Sequence, residues 1–284
     1  MSRKKLEIAD LQKMKREGTP ITMVTAYDAP TARLADEAGI DCVMVGDSLS
    51  NVVLGHRDTL PVGMEEMLHH TRAVRRGLQY ALLIGDMPFL SYQVSREEAM
   101  RNAGRFLKEA GADAVKLEGG SPVVETVAAL TRAGIPVVGH LGLTPQSAAL
   151  LGGYRVQGTD AVSARKIIDD ALALEQAGAV MLVLECVPRR LGRLVSGLLR
   201  IPVIGIGAGA DCDGQVLVFH DLVGIAAGFS PRFVKRYAEV GKVMKTALED
   251  YCHEVRERKF PAEEHSFQAG DDVFEKLERE FGQR

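Results

Sequence analysis

The stretch ADAVKLEGGSPVVETVAALTRAGIPVVGH, residues 112–140, decides the fold. It holds two short apolar runs, 114–118 and 136–140, and the longer segment between them ends in the glycine and proline turn RAGIP. Runs that are almost continuously apolar are typical of strands buried on both faces of a parallel sheet. Residues 112–140 are therefore predicted to form one strand, helix and strand unit.

The same pattern repeats along the chain, and similar small-residue junctions precede the second, fourth and sixth runs. The eight predicted strands are 21–26, 42–46, 81–86, 114–118, 136–140, 180–185, 202–206 and 222–227. Eight strands that alternate with helices in fewer than about 300 residues predict an α/β protein with a (β/α)8 (TIM) barrel. A doubly wound open sheet is the alternative.

One helix shows how the elements are delimited. Ser95 is a good N-cap, Glu98 follows three residues later as in a capping box, and Gly111 ends the helix predicted over 95–110.

No low-complexity linker divides the chain. Residues 1–267 are therefore predicted to form a single barrel domain with an N-terminal helix. A C-terminal helical segment is predicted over 230–260, and residues 268–284 are predicted to be a charged C-terminal tail.

Composition limits the classes of function. The 284 residues are 46% hydrophobic and 26% charged, which is typical of a globular protein with a sizeable core. The net charge of −3 gives no basic excess for nucleic acid phosphates. No run of about 18 apolar residues occurs, and the N-terminal segment lacks the apolar stretch of a secretory signal. We expect a cytoplasmic protein that acts on small molecules, without a nucleic acid or membrane partner.

The four cysteines are scattered, and no C-x-x-C pair is present. This spacing argues against a zinc site and a disulfide framework. Cys186 stands at an apolar strand end with no evident base, so it is interpreted as a packing residue and not as a nucleophile.

Polar residues interrupt five apolar runs at their ends. In a (β/α)8 barrel the active site lies at the carboxyl ends of the strands. The residues at these ends are Asp47, Asp86, Glu118, His140 and Glu185. One such carboxylate is as often the N-cap of the next helix. Several carboxylates at one barrel mouth would raise one another's pKa values unless a cation neutralises them, and all-oxygen ligation suits Mg2+.

Two further features concern the same barrel face. Lys116 and Glu118 share one face of the fourth strand, and we expect that face to be the barrel interior with Lys116 one layer beneath Glu118. His140 either orients a substrate or hydrogen-bonds a neighbouring carbonyl group. Long loops over 47–62 and 141–158 are candidates for lids or substrate walls, or are plain surface insertions.

The run GIGAG, residues 205–209, follows the seventh strand. Many barrels bind phosphate at that place, although glycines there also serve tight turns and close packing.

Ordered segments from about Thr22 to Phe267 resemble those of the ketopantoate (3-methyl-2-oxobutanoate) hydroxymethyltransferase family. The segments are TAYD (25–28), VGDS (45–48), TLPV (59–62), KLEGG (116–120), GHLGLTPQ (139–146), GGYRVQG (152–158), LVLECVP (182–188), IGIGAG (204–209), DGQVLVFHD (213–221) and EEHSF (263–267). So many ordered blocks over most of the chain make the resemblance specific.

The resemblance implies a barrel similar to those of phosphoenolpyruvate mutase and isocitrate lyase. It implies transfer of a hydroxymethyl group from 5,10-methylenetetrahydrofolate to 3-methyl-2-oxobutanoate through a Mg2+-stabilised enolate. The products would be 2-dehydropantoate and tetrahydrofolate, as in pantothenate biosynthesis. It also implies a homo-oligomer, which in many bacterial members is a decamer.

Residue roles follow from the same resemblance. It implies that Glu185 is the general base. The residues implied to bind Mg2+, directly or through water, are Asp47, Asp86 and Glu118. The residues implied to contact the 2-oxo acid are Asp47, Ser48, Asp86 and Lys116. His140 is added to the substrate-binding set because of its place at a strand end.

The chain departs from the family pattern at Ser50 and Asn51, where a Gly-Met-type pair is expected, and at Gly63, where Thr is usual. One alternative function is a Mg2+-dependent carbon–carbon lyase that acts on a small 2-oxo acid. Such lyases typically carry a KKCGH-type cysteine loop, which this sequence lacks. A second alternative, a catalytically silent assembly subunit, predicts the loss of a strand-end carboxylate, and all four are present.

Overall fold

Eight parallel strands close into a barrel, in which each strand pairs with its sequence neighbours and the last pairs with the first. The strands are β1 Ile21–Thr25, β2 Cys42–Val45, β3 Leu82–Asp86, β4 Ala114–Glu118, β5 Val137–Gly142, β6 Met181–Glu185, β7 Val203–Ile206 and β8 Gly214–Leu217. This computed structural model describes residues 3–225 and 231–282, with the backbone alone for 271–273. The predicted barrel is confirmed, and an open sheet is excluded.

The chain divides into two compact units, Met1–Tyr237 and Ala238–Arg284. The helices of the first unit are α1 Ile8–Glu17, α2 Ala29–Glu37, α3 Leu49–Val52, α4 Met64–Gly77, α5 Arg96–Ala110, α6 Val124–Arg132, α7 Ala161–Gln176, α8 Arg189–Leu198 and α9 Phe219–Val223. Those of the second unit are α10 Val240–Arg256 and α11 Asp271–Phe281. The domain boundary expected at residue 267 stays a prediction.

The predicted helix boundaries hold in the middle of the chain and fail near its end. The Ser95 side chain accepts a hydrogen bond from the Glu98 backbone N–H, and Gly111 ends α5 with a φ of 69°. The helix predicted over 230–260 is shorter, because residues 231–239 are not helical and α10 ends at Arg256. Of the helices in the described ranges, none combines the length and apolarity needed to cross a bilayer.

The position predicted for the eighth strand, 222–227, is wrong. Leu222 and Val223 belong to α9, and residues 226–227 lie outside the described residues. The strand that closes the barrel is Gly214–Leu217, whose glycine and glutamine weaken the apolar signal. A Cβ at Gly214 would lie 2.3 Å from the Ile21 carbonyl oxygen, so this close approach requires glycine. Residues 207–213, all of them described, connect β7 to β8 without a helix.

Side chains that alternate along the strands fill the barrel interior. The inner core includes Ile84, Ala114, Val138 and Val183, each of which lies two residues before a polar residue of the strand end. Because the side-chain period of a strand is two, the polar residues at these ends face the interior as well. The predicted interior orientation of Lys116 and Glu118 is confirmed by this register and by their burial.

Carboxylates at the opposite, amino ends of the strands have a structural role. Asp113 accepts a hydrogen bond from the Leu83 backbone N–H at 2.9 Å, and Asp213 accepts one from the Val203 N–H at 2.8 Å. The buried Asp36 accepts one from the Ala81 N–H at 2.7 Å. These bonds satisfy backbone N–H donors at the starts of strands. Residues at this face of a (β/α)8 barrel usually serve stability and not catalysis.

Gly85 in β3 tests how tightly the outer helices pack on the barrel. A Cβ at this position would lie 2.3 Å from Cδ1 of the buried Phe106 on α5. We expect Gly85→Ala to lower the free energy of unfolding by about 1–3 kcal/mol through overpacking. Urea unfolding measures this change.

The control is Gly104→Ala on the same helix α5, where a Cβ meets nothing within 4 Å. This variant should gain about 0.5–1 kcal/mol from the helix propensity of alanine. Equal midpoints for the two variants would contradict the packing argument.

Candidate active site

The polar strand-end residues meet inside the carboxyl end of the barrel. The strand register pairs Asp86 with Lys116 and Glu118 with His140, so neighbouring strands bring their side chains together. Glu185, at the end of β6, is the half-buried member of the group. The buried members are Asp47, Asp86, Lys116, Glu118 and His140. The structure therefore brings together the residues that the sequence placed at strand ends.

None of the four carboxylates caps the helix that follows it. In the described chain the N-caps after β2, β3 and β6 are Ser48, Ser95 and Pro188. Gly120 precedes the 3₁₀ turn after β4. The capping interpretation of these carboxylates is therefore wrong.

Lys116 forms the central ion pair of the cluster. Its Nζ donates to Oδ1 and Oδ2 of Asp86 at 2.8 and 2.9 Å and lies 3.5 Å from Glu118 Oε1. Burial opposes the charge of Lys116, but the carboxylates of Asp86, Glu118 and Asp47 outweigh it and raise its pKa. Lys116 is therefore an ammonium ion at neutral pH.

Asp47 lies beside this pair, directly after β2. Its backbone N–H donates to Asp86 Oδ2 at 3.1 Å. Burial, with the negative charges of Asp86 and Glu118, raises the pKa of Asp47 to about 8. The three carboxylates carry more negative charge than Lys116 alone neutralises, so a cation bound among them would lower the pKa of Asp47 again.

His140 lies between two carboxylates and not against a carbonyl group. Its Nδ1 is 3.4 Å from Glu118 Oε1, and its Nε2 is 3.3 Å from Glu185 Oε2. Neither nitrogen has a hydrogen bond of regular geometry to the described residues, so these contacts are ion pairs. Burial and Lys116 lower the pKa of His140, but Glu118 and Glu185 outweigh them and raise it to about 9.

The backbone turns sharply at the end of β6, where Glu185 lies. Cys186 has a φ of 47°, which is rare for a residue with a side chain. Gly142 approaches so closely that a Cβ there would lie 2.1 Å from the Glu185 carbonyl oxygen. Burial and the charge of Glu185 raise the pKa of Cys186 to about 12, which keeps the thiol neutral and agrees with a packing role.

Ser48 and the loop that follows it are held by short hydrogen bonds. The Ser48 hydroxyl lies 2.8 Å from the hydroxyl of buried Tyr27. Ser50 and Asn51, two of the positions that depart from the family pattern, also hold this loop in place. Ser50 Oγ donates to the Asp58 carbonyl at 2.7 Å. Asn51 Nδ2 likewise donates to the His56 carbonyl at 3.1 Å. Gly63, the third departure, is the N-cap of α4.

The glycines of the 205–209 run pack closely against side chains. A Cβ at Gly209 would lie 2.5 Å from Arg189, and one at Gly207 would lie 3.0 Å from Phe233. Both glycines have positive φ angles, of 66° and 89° for Gly207 and Gly209. These observations favour the turn and packing interpretation.

Sequence reasoning missed two buried residues that hold the cluster together. Gln146 Nε2 donates to Asp47 Oδ2 at 3.2 Å, and its backbone N–H donates to Glu118 Oε2 at 3.0 Å. Tyr92 donates from its hydroxyl to Gln146 Oε1 at 2.7 Å. Gln146 lies within the GHLGLTPQ segment, so that segment was the one signal available for it.

The donor set fits a hard divalent cation. Asp47, Asp86 and Glu118 offer carboxylate oxygens, and Glu118 Oε1 is buried with no hydrogen-bond partner among the described residues. Across residues 3–225 and 231–282, no three His, Cys, Asp or Glu side chains are arranged to hold one ion together. Mg2+ commonly takes one or two carboxylates and completes its octahedron with water and substrate oxygens, so the two observations agree.

The chain matches a known protein family over most of its length. The family model for ketopantoate hydroxymethyltransferase matches residues 5–263. The chain belongs to this family. A family member from Moorella thermoacetica, named 3-methyl-2-oxobutanoate hydroxymethyltransferase, is 58% identical over 265 residues, covering 93% of this chain and 98% of the relative. One of the same name from Carboxydothermus hydrogenoformans is 53% identical, covering 96% and 99%.

Solved structures with the same barrel are more distant. A phosphonopyruvate hydrolase in complex with oxalate and Mg2+ superposes with a TM-score of 0.60 at 14% identity, covering 97% of this chain and 96% of the other. A 2,3-dimethylmalate lyase of the PEP mutase/isocitrate lyase superfamily has a TM-score of 0.57 at 15% identity, with coverages of 97% and 96%. These likenesses confirm the predicted fold class.

The raised pKa of His140 makes the stability of the metal-free protein depend on pH. Because its pKa rises from 6.5 to about 9 on folding, the protonated form stabilises the fold fully below pH 6.5. That contribution is lost as the pH rises through about 9. We expect the stability difference between wild type and His140→Gln to shrink from pH 6.5 to pH 9.5, as measured by urea midpoints.

The matched control is His69→Gln, since His69 is exposed on α4. Its pH profile should follow that of the wild type. Profiles for His140→Gln that run parallel to the wild type would contradict a charged imidazolium between Glu118 and Glu185.

Proposed function

We propose that this protein transfers a hydroxymethyl group from 5,10-methylenetetrahydrofolate to 3-methyl-2-oxobutanoate in pantothenate biosynthesis. The C3–H bond of the 2-oxo acid breaks, and C3 bonds to the donor's methylene carbon. Both C–N bonds that hold this carbon to the folate break, water supplies the hydroxyl oxygen, and the two folate nitrogens take up the proton from C3 and the remaining proton of the water. The products are 2-dehydropantoate and tetrahydrofolate. The observation that carries the proposal is the carboxylate and ammonium cluster at the barrel mouth, with Glu185 beside it, in a chain of this family.

The 2-oxo acid is an anion, and we propose that a cationic group and a hydroxyl group of the protein bind it. Lys116 supplies a buried positive charge, and Ser48 supplies a hydroxyl group that Tyr27 holds in place. A charge-assisted hydrogen bond in a buried site is stronger than one in water. In the proposal, Asp47, Asp86 and His140 line the rest of the substrate site.

Asp47 and Asp86 would hold Mg2+, with Glu118 acting directly or through water. When bound, Mg2+ acts as a Lewis acid that polarises the keto group and acidifies the adjacent C–H bond. Lys116 keeps Asp86 oriented toward the same space by its two hydrogen bonds.

Glu185 is proposed as the general base that removes the proton from C3. Its carboxylate is half-buried at the end of β6, within reach of both solvent and the cluster. His140 Nε2, 3.3 Å from Glu185 Oε2, orients this carboxylate. A positioned carboxylate base contributes rate only if its oxygen reaches the reacting hydrogen, so this orientation matters.

The homo-oligomer, a decamer in many family members, and the cytoplasmic location are also part of the proposal. The homo-oligomer rests on the family resemblance, and neither property is needed for the chemistry described above.

Incubation with 3-methyl-2-oxobutanoate, 5,10-methylenetetrahydrofolate and Mg2+ should yield 2-dehydropantoate and tetrahydrofolate. A chelator should abolish the reaction, and added Mg2+ should restore it, because the carboxylates need the cation. Product analysis by chromatography and mass spectrometry measures both outcomes. Fragments of a cleaved carbon–carbon bond, in place of 2-dehydropantoate, would favour the lyase alternative.

Glu185→Gln isolates the proton-transfer step. The wild type should exchange the C3 hydrogen of 3-methyl-2-oxobutanoate with deuterated water in the presence of Mg2+ and without folate. We expect the variant to slow this exchange by about 10²- to 10⁴-fold, because a glutamine cannot accept the proton. Proton NMR follows the exchange.

Mg2+ affinity of Glu185→Gln should match that of the wild type. The exposed Glu97→Gln on α5 is the control and should exchange at the wild-type rate. Equal loss of exchange and of Mg2+ binding would reassign Glu185 to the metal site.

A further inference from the structure

One buried glutamine contacts two carboxylates of the site at the same time. Gln146 is 5% exposed and follows β5. Its side-chain Nε2 donates to Asp47 Oδ2, while its backbone N–H donates to Glu118 Oε2. Asp47 follows β2 and Glu118 ends β4, so Gln146 joins two parts of the cluster that the barrel sheet does not pair.

The hydrogen bonds fix the orientation of the Gln146 amide. Nε2 faces two acceptors, Asp47 Oδ2 at 3.2 Å and the Met87 carbonyl oxygen at 3.0 Å. Oε1 accepts from the Tyr92 hydroxyl at 2.7 Å. With the amide turned over, Oε1 would face a carboxylate and a carbonyl oxygen, so only one orientation satisfies the network.

Tyr92 connects this amide to the fourth strand. It is 2% exposed, and its hydroxyl accepts a hydrogen bond from the Glu118 backbone N–H at 3.1 Å. Tyr92 therefore donates to Gln146 and accepts from Glu118, using both capacities of one hydroxyl group. Buried polar networks that are satisfied in this way hold their members rigidly.

The loop that carries Gln146 is anchored at both ends on the strand of the proposed base. The Leu143 backbone N–H donates to the Glu185 carbonyl at 2.9 Å. The Gln157 backbone N–H donates to the Cys186 carbonyl at 2.8 Å. Two consecutive residues thus close the 143–157 loop, and this closure places Gln146 over the carboxylates.

We propose that Gln146, oriented by Tyr92, is a positioning residue that holds Asp47 and Glu118 in the arrangement that receives the divalent cation. The inference rests on the proposed function, in which Mg2+ binds this cluster. A donor on one carboxylate oxygen restricts rotation of the group before the cation arrives, so less freedom is lost on binding. The nearby negative charges would otherwise push the unclamped carboxylates apart.

Gln146→Met tests the role, because methionine keeps the length and volume of the side chain and removes the donor. We expect Mg2+ affinity, measured by isothermal titration calorimetry without substrate, to weaken by about 10- to 100-fold. Tyr92→Phe should weaken it less. In the Gln146→Met background Tyr92→Phe should add little, because Tyr92 acts largely through the amide.

Val127→Ala is the control for lost packing, since Val127 is buried on α6 away from the cluster. It should lower the urea midpoint and leave Mg2+ affinity unchanged. Wild-type affinity in Gln146→Met would overturn the inference, as would an equal loss of affinity in Val127→Ala. A wild type that binds no Mg2+ would overturn both the inference and the metal requirement of the proposed function.

The two proposals fail in different ways. A wild type that binds Mg2+, and whose affinity falls in Gln146→Met, supports the positioning role even if no 2-dehydropantoate forms. In that case the proposed reaction alone would be overturned. Formation of 2-dehydropantoate by a wild type whose affinity matches that of Gln146→Met would overturn only the positioning role.

Discussion

The site depends on charge balance inside a closed barrel. The formal charge of the three carboxylates, Asp47, Asp86 and Glu118, is −3, and Lys116 carries +1. The net charge is therefore −2 in a buried space that excludes most water. A divalent cation would supply that difference, and in the metal-free protein burial and the neighbouring carboxylates raise the pKa of Asp47. His140 and Glu185 add charges of opposite sign that cancel each other. The composition of the cluster thus matches the charge of Mg2+.

The two ends of the barrel use carboxylates for different purposes. At the amino ends, Asp36, Asp113 and Asp213 accept hydrogen bonds from backbone N–H groups that begin strands. At the carboxyl ends, Asp86 and Glu118 face an ammonium group and an imidazole. Asp213 and Asp113 pair with cations as well, since Lys15 Nζ lies 2.6 Å from Asp213 Oδ2 and Lys5 pairs with Asp113. The two ends therefore differ in how the acids are grouped: at the amino ends they lie at separate strand starts, whereas at the carboxyl ends three buried carboxylates surround one lysine.

Hydrophobic periodicity predicted the strands that local sequence determines. It failed where a contact between distant residues determines the structure. Seven strands were predicted within two residues at each end because both of their faces are buried. The strand Gly214–Leu217 was not predicted because Gly214 is required by the close approach of Ile21. A pattern of apolar residues carries no information about that contact. The strand-end acids could be predicted because the topology gathers strand ends. Gln146 could not, because closure of the 143–157 loop on the Glu185 and Cys186 carbonyls brings it to the site. Tyr92 could not either, because it lies in the connection between β3 and α5 and joins the site through hydrogen bonds to Gln146 and Glu118.

His140 links the proposed metal site to the proposed base. The sequence left open a hydrogen bond to a carbonyl group, and the structure instead sets one ring nitrogen against Glu118 and the other against Glu185. Only the doubly protonated ring offers a proton to both carboxylates, whereas either neutral tautomer would leave one facing a lone pair. His140 therefore contacts both the carboxylate that faces the proposed cation and the carboxylate proposed as the base.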